Sequence, residues 1–96
     1  MLTWVVYDIT KDRTRTRVAK RCLDMGLYRV QKSIFLGDLA ANRVEEILLF
    51  SEEMLDMDTD SVYIFPMCRE DFEKVRVVGQ GFDRALVADT VLTKVI

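Results

Sequence analysis

Short strand-type runs alternate with helix-type periodicity along this chain, and that alternation limits the fold more than any other feature. Residues 2–7 (Leu-Thr-Trp-Val-Val-Tyr) are apolar, β-branched or aromatic and read as a buried strand. The run ends at Asp8, and residues 9–13 turn into a helix over 14–25. There Val18, Ala19, Cys22, Leu23 and Met25 recur at three- and four-residue spacing. Gly26 stands where a C-terminal cap belongs. Residues 27–36 return to strand character. Lys32 and Ser33 interrupt them, so they read as two strands or one bent strand, and Gly37 and Asp38 make the next break. Residues 42–55 carry the longest helical pattern, with Val44, Ile47, Leu48 and Leu55 on one side. Asp56, Asp58 and Asp60 mark a loop, and residues 62–67 form another strand whose Pro66 belongs near a sheet edge. Beyond it, residues 70–74 suggest a helical turn, 75–78 a short strand, 79–81 a flexible break and 91–96 a terminal strand.

Elements in this order make a two-layer α+β sandwich, with helices on one face of a mainly antiparallel sheet. That is a ferredoxin-like arrangement, and 96 residues hold one such domain over 1–96. Helices on one face leave the other face open. A second copy is the simplest cover, so a homodimer with a two-fold axis is expected.

With half the residues hydrophobic and 31% charged, the chain lies outside the disordered class. No apolar run approaches the roughly 20 residues of a membrane span, and no basic segment follows Met1. The expectation is a cytoplasmic protein without a membrane partner. Cys22 and Cys68 then read as buried thiols rather than a disulfide.

The chain has no histidine. That removes imidazole as general base, the Ser-His and Cys-His nucleophile pairs, and the usual zinc ligands. Catalysis, if present, runs on carboxylates, a hard cation, Arg, Lys, Tyr or Ser. Asp8 is the first candidate, a carboxylate at the end of an apolar strand. It serves there either as metal ligand or base, or as the residue that turns the chain into the helix. One carboxylate holds Mg²⁺ poorly, because the ion takes six oxygens. Two copies of Asp8 brought together by a two-fold axis would hold one ion. Asp12 reads as a helix N-cap.

Residues 11–32 carry eight basic against two acidic side chains, a net +6, and residues 38–60 carry one against eight, a net −7. Two solvated helix faces of opposite sign would account for this. Yet Arg13, Arg15 and Arg17 fan around the first turn of a helix, where cations oppose the macrodipole. Helix stability does not explain that choice. A bound phosphate would, since the planar guanidinium matches it bidentately. Ion pairs to the acidic segment are the alternative. In the second strand region Arg29 and Lys32 have opposite parity, the Ser33 hydroxyl can meet a phosphate or water, and Phe35 and Trp4 read as core.

Three segments carry a resemblance: Val-Val-Tyr-Asp-Ile (5–9), Arg-Thr-Arg-Val-Ala-Lys (15–20) and Gly-Leu-Tyr-Arg-Val-Gln-Lys-Ser-Ile-Phe (26–35). Together they resemble the small CRISPR-associated endonuclease of the adaptation (spacer-acquisition) machinery, the partner of the CRISPR integrase. The resemblance also takes in residues 62–67 and the Val-Val-Gly at 77–79. It implies a ferredoxin-like homodimer whose C-terminal segment, 79–96, packs on the partner subunit. It implies a metal-dependent endonuclease acting on single-stranded RNA or double-stranded DNA in antiviral defence; Mg²⁺, with Mn²⁺ as the alternative, suits the oxygen ligands. Asp8 falls on the family's catalytic and metal-binding aspartate. Tyr7, Arg15, Arg17, Arg29, Ser33 and Phe35 fall on its nucleic-acid-binding positions. A second role in the family is a non-catalytic DNA-binding scaffold in the adaptation complex. The virulence-associated D toxins are similar in size and fold and also cleave RNA, but the second-strand motif argues against them.

Overall fold

The computed structural model describes residues 1–81. Seven elements follow in the order β1 (Leu2–Asp8), α1 (Asp12–Asp24), β2 (Tyr28–Gln31), β3 (Ile34–Asp38), α2 (Ala41–Met54), β4 (Ser61–Pro66) and α3 (Arg69–Glu73). The four strands form one sheet in the order β2-β3-β1-β4, every pair antiparallel. This is the ferredoxin-like α+β sandwich that the order of periodicities predicts. Pro66 does end an edge strand, where its missing N–H costs the ladder nothing.

Successive residues of β1 face opposite sides of the sheet. Val5 and Tyr7 join a core with Val18, Ala19 and Cys22 of α1, Ile47 of α2, and Phe35 and Leu27. Leu2 faces the other way and packs with Leu36 and Phe72, with half-buried Trp4, Tyr28 and Met67 around them. The third helix therefore covers one end of the second face. The rest of that face stays open, with Tyr63 and Phe65 exposed and their rings stacked 6.1 Å apart at 9°.

Helix α1 ends in two backbone bonds that satisfy its last carbonyls. Gly26 N–H donates to the Leu23 carbonyl at 2.9 Å, and Leu27 N–H to the Cys22 carbonyl at 3.1 Å. Gly26 takes φ +83°, and the buried Leu27 that follows seals the turn. Gly37 lies within β3 rather than breaking it. A Cβ there would lie 2.6 Å from the Leu27 side chain, so close approach, not a turn, explains this glycine.

Several expectations need correction. Helix α1 begins two residues early, and its N-cap is Lys11, without a side-chain bond; Asp12 is the first helical residue and pairs with Arg15. Of the two readings of residues 27–36, the one with two strands holds, and Lys32 and Ser33 form the turn between them. Residues 75–78 are not a strand, because Val75 packs on the Leu2–Leu36–Phe72 cluster instead of joining the sheet. Leu48 is exposed, since α2 rests on the sheet through Ile47 and Ser51. Cys22 is buried as expected, but Cys68 is exposed, where its sulfur accepts the Asp71 N–H and caps α3. The strand expected at 91–96 and nearly all of segment 79–96 lie outside the described residues. Among the described residues, no helix is long and apolar enough to cross a membrane.

Candidate active site

Asp8 closes β1 on the open side of the sheet, in register with Ser61 of β4, and is exposed. Two turns flank it, and an arginine side chain holds each one. In the β1–α1 turn, Arg15 Nη1 donates to the Ile9 carbonyl at 2.9 Å and to the Thr10 carbonyl at 3.1 Å. The same guanidinium pairs with Asp12. In the β2–β3 turn, Arg29 donates to the Lys32 carbonyl through Nη2 at 2.6 Å and Nε at 3.2 Å. The Tyr7 hydroxyl donates to that carbonyl as well, at 3.2 Å, and Tyr7 N–H donates to the Ser33 carbonyl at 3.1 Å. Strand β1 therefore grips the turn that carries Ser33 through both the backbone and the side chain of the residue before Asp8.

A stack underlies this turn. The Tyr7 and Phe35 rings lie 6.1 Å apart at 22°, and the Arg29 guanidinium sits 5.4 Å from the Phe35 ring centre. Burial pushes the Tyr7 phenol above its ordinary value of 10.0, with Arg29 opposing. The hydroxyl thus keeps its proton and stays a donor. Between α1 and the sheet end opens a cleft of about 1010 Å³, whose rim includes Asp8, Arg15, Lys20, Arg29, Lys32 and Ser33.

The structure thus gathers Tyr7, Asp8, Arg15, Arg29 and Ser33 at one cleft, and separates the others from it. Arg17 is exposed outside the cleft, its Nη1 3.9 Å from Met54 Sδ. Phe35 has no exposed surface and Tyr7 only 4%. Burial leaves these two rings little surface for the contact role that the resemblance implies, although Tyr7 lines the cleft. Arg15 and Arg29 are not free cations either, since main-chain carbonyls already occupy part of each guanidinium. Lys20, Thr10 and Asp60 belong to the neighbourhood and escape a reading of the sequence. Thr10 and Asp60 are fifty residues apart and meet only because β4 pairs with β1.

Among the described residues, no group of three or more acidic or thiol side chains could hold a metal ion. At the end of β1 a single chain offers one carboxylate, Asp8. Mg²⁺ would need further oxygens from a second copy, from water or from a phosphate. Asp8 fits that requirement in kind, being exposed and on the open face of the sheet.

Fold and site together define a small ferredoxin-like domain with a carboxylate at the end of its first strand, between two arginine-held turns. The chain belongs to the CRISPR-associated protein Cas2 family, whose model matches residues 1–75. It is 37% identical over 81 residues to the CRISPR-associated endoribonuclease Cas2 of Korarchaeum cryptofilum, covering 80% of this chain and 83% of that one. It is 39% identical over 83 residues to a Cas2 endoribonuclease of Chloroflexus aurantiacus, covering 84% and 95%. Among solved structures, Streptococcus pyogenes Cas2 superposes with a TM-score of 0.70 at 26% identity, over 82% of this chain and all of that one. A hypothetical protein from Thermus thermophilus superposes with a TM-score of 0.69 at 31% identity, over 83% and 92%.

Proposed function

We propose that the protein is a metal-dependent endonuclease of a CRISPR system, hydrolysing phosphodiesters of single-stranded RNA or double-stranded DNA during spacer acquisition. The observation that carries this reading is the exposed Asp8 at the strand end, set between the turns held by Arg15 and Arg29. The names of the relatives support a nuclease. The exposed Tyr63–Phe65 pair on the face that Asp8 closes supports a homodimer. In such a dimer, Asp8 from each of two copies would hold Mg²⁺ or Mn²⁺, which supplies Lewis-acid stabilisation of the phosphate charge. The chain's own residues do the rest. Arg29 and Tyr7 fix the Lys32–Ser33 turn on the rim of the cleft, and Lys32 and Lys20, the latter paired with Asp24 at 2.8 Å, would draw in the phosphate backbone.

The reading is tested with purified Asp8→Ala protein, RNA and duplex substrates, and Mg²⁺. Cleavage should fall at least about a hundredfold, the scale of a lost essential group. Cleavage at the parent's rate rejects it. A scaffold dimer that holds duplex DNA beside the CRISPR integrase is the second reading. One observation favours it: the described residues gather no cluster of three or more metal ligands. Unchanged spacer acquisition in cells carrying Asp8→Ala would select it.

A further inference from the structure

The acidic loop between α2 and β4 has no part in the function so far, yet one of its carboxylates reaches the turn behind Asp8. Asp60 Oδ1 accepts the Thr10 N–H at 3.0 Å and the Thr10 hydroxyl at 2.8 Å. Thr59 Oγ1 donates to the same oxygen at 3.1 Å, and the Asp56 N–H donates to Oδ2 at 3.1 Å. Asp56 in turn accepts the Asp58 N–H at 3.0 Å. Two of the three carboxylates of the Asp-x-Asp-x-Asp run are thus engaged with donors of the protein itself, and among the described residues no group of three or more such side chains could hold a metal ion.

Asp60 immediately precedes Ser61, and Ser61 is the sheet partner of Asp8. The rung Asp8–Ser61 is the last of the β1–β4 ladder, at a sheet end where strands fray. Two residues beyond it the Thr10–Asp60 bonds close the same gap again. Arg15 holds the carbonyl side of the turn, and Asp60 holds its N–H and hydroxyl side. The backbone that follows Asp8 is therefore fixed by two opposite charges on opposite groups, both in charge-assisted bonds.

We propose that Asp60 is a positioning residue for Asp8: by clamping Thr10 to the β4 side, it keeps the end of β1 in the geometry in which the Asp8 carboxylate acts. This rests on the reading of Asp8 as the metal-binding carboxylate. Asp60 touches no substrate in that reading. Its negative charge repels nucleic acid rather than binding it.

The test compares Asp60→Ala, Asp60→Asn and Thr10→Val in the full-length protein, with Asp8→Ala alongside. Asn keeps an oxygen for Thr10, and Thr10→Val removes the hydroxyl alone. For Asp60→Ala, kcat should fall about tenfold, as small misplacements of reacting groups do, with KM unchanged or lower. Asp60→Asn should recover most of that loss, and Thr10→Val should show part of it. In the metal-free protein, the Thr10 amide should exchange with solvent at least about tenfold faster in Asp60→Ala, since its acceptor is gone. Parent-like kcat in Asp60→Ala and Thr10→Val overturns the proposal while loss of cleavage in Asp8→Ala leaves the nuclease reading standing. A higher KM at constant kcat, or parent-like exchange at Thr10, overturns it too. If Asp60→Ala does not fold, Thr10→Val and Asp60→Asn decide the matter by the same readouts. Undiminished cleavage by Asp8→Ala rejects the nuclease reading itself.

Discussion

The two faces of the sheet are made from alternate residues of the same strands, yet different parts of the molecule hold them. On the helix side, Val5, Tyr7 and Phe35 are sealed by Val18, Cys22 and Ile47, all supplied by this chain. On the other side, Leu2 and Leu36 are sealed at one end by Phe72, while Tyr63 and Phe65 stand half exposed. The first face is a finished core. The second is finished over one end only, and the carboxylate of interest lies at the unfinished end. Apolar residues on a strand thus have two destinations, and the strand's own pattern does not separate them.

The largest break in that contrast is expected from Phe35→Ala. Phe35 is completely buried, and truncating a buried phenylalanine costs about 3–5 kcal/mol. Denaturant unfolding should show most of that loss. The Lys32–Ser33 turn should loosen with it, because Arg29 rests on the same ring. A loss below about 1 kcal/mol would mean that the helix-side core closes over the gap.

On the open face the same kind of change should do much less to the single chain. Replacing both Tyr63 and Phe65 by Ser should cost each chain about 1 kcal/mol or less, as exposed substitutions do, beyond the stacking they lose. The effect should appear in self-association, measured by sedimentation velocity. A variant that stays as dimeric as the parent would remove this face from the proposed interface. A several-kcal/mol loss in the single chain would make the face part of the core after all.

The two thiols sharpen the contrast without disturbing stability. Burial pushes the Cys22 thiol up to about 12, and Arg29 opposes this only in part. Cys68 is exposed at the start of α3. At neutral pH a maleimide should label Cys68 in the native protein and reach Cys22 only on denaturation, as counted by mass spectrometry. Two labels at equal native rates would show the helix-side core to be open.

How far the sequence could be read follows the same division. The strand at residues 2–7, the helix ended by Gly26 and the ferredoxin-like order were legible because their partners are local or follow from periodicity. Gly37 reads as a break but lies within β3, since the Leu27 side chain that excludes a Cβ there is known only from the packing. Of the candidate site, Asp8 and the arginines were visible as residue types. Their tasks were not. Arg15 and Arg29 read as nucleic-acid-binding residues, while in the fold they hold carbonyls of turns five to six and three residues away. Asp60 was legible only as part of a loop, because the register that delivers it to Thr10 is a tertiary fact.

The smallest expected effect concerns that same carboxyl and its dependence on pH. Hydrogen bonds from the Thr10 N–H and then the Thr10 hydroxyl lower Asp60 from its ordinary 3.8 to about 2, with the Asp56 N–H and Thr59 hydroxyl assisting. The folded value lies below the unfolded one. The stabilisation is therefore fully present above about pH 4 and is lost as pH falls through the folded value near 2. Asp60 is exposed, so its share of total stability is small, and the sharper observable is local. In an acid titration followed by NMR, the Thr10 amide should keep its native shift well below pH 3.8 and move only near pH 2. Thr10→Val should draw the Asp60 carboxyl back toward its ordinary value, since one of its donors is gone. A parent midpoint already near 3.8 would show that Thr10 and Asp60 do not grip each other in solution, and the end of β1 would then be held by Arg15 and its last ladder rung alone.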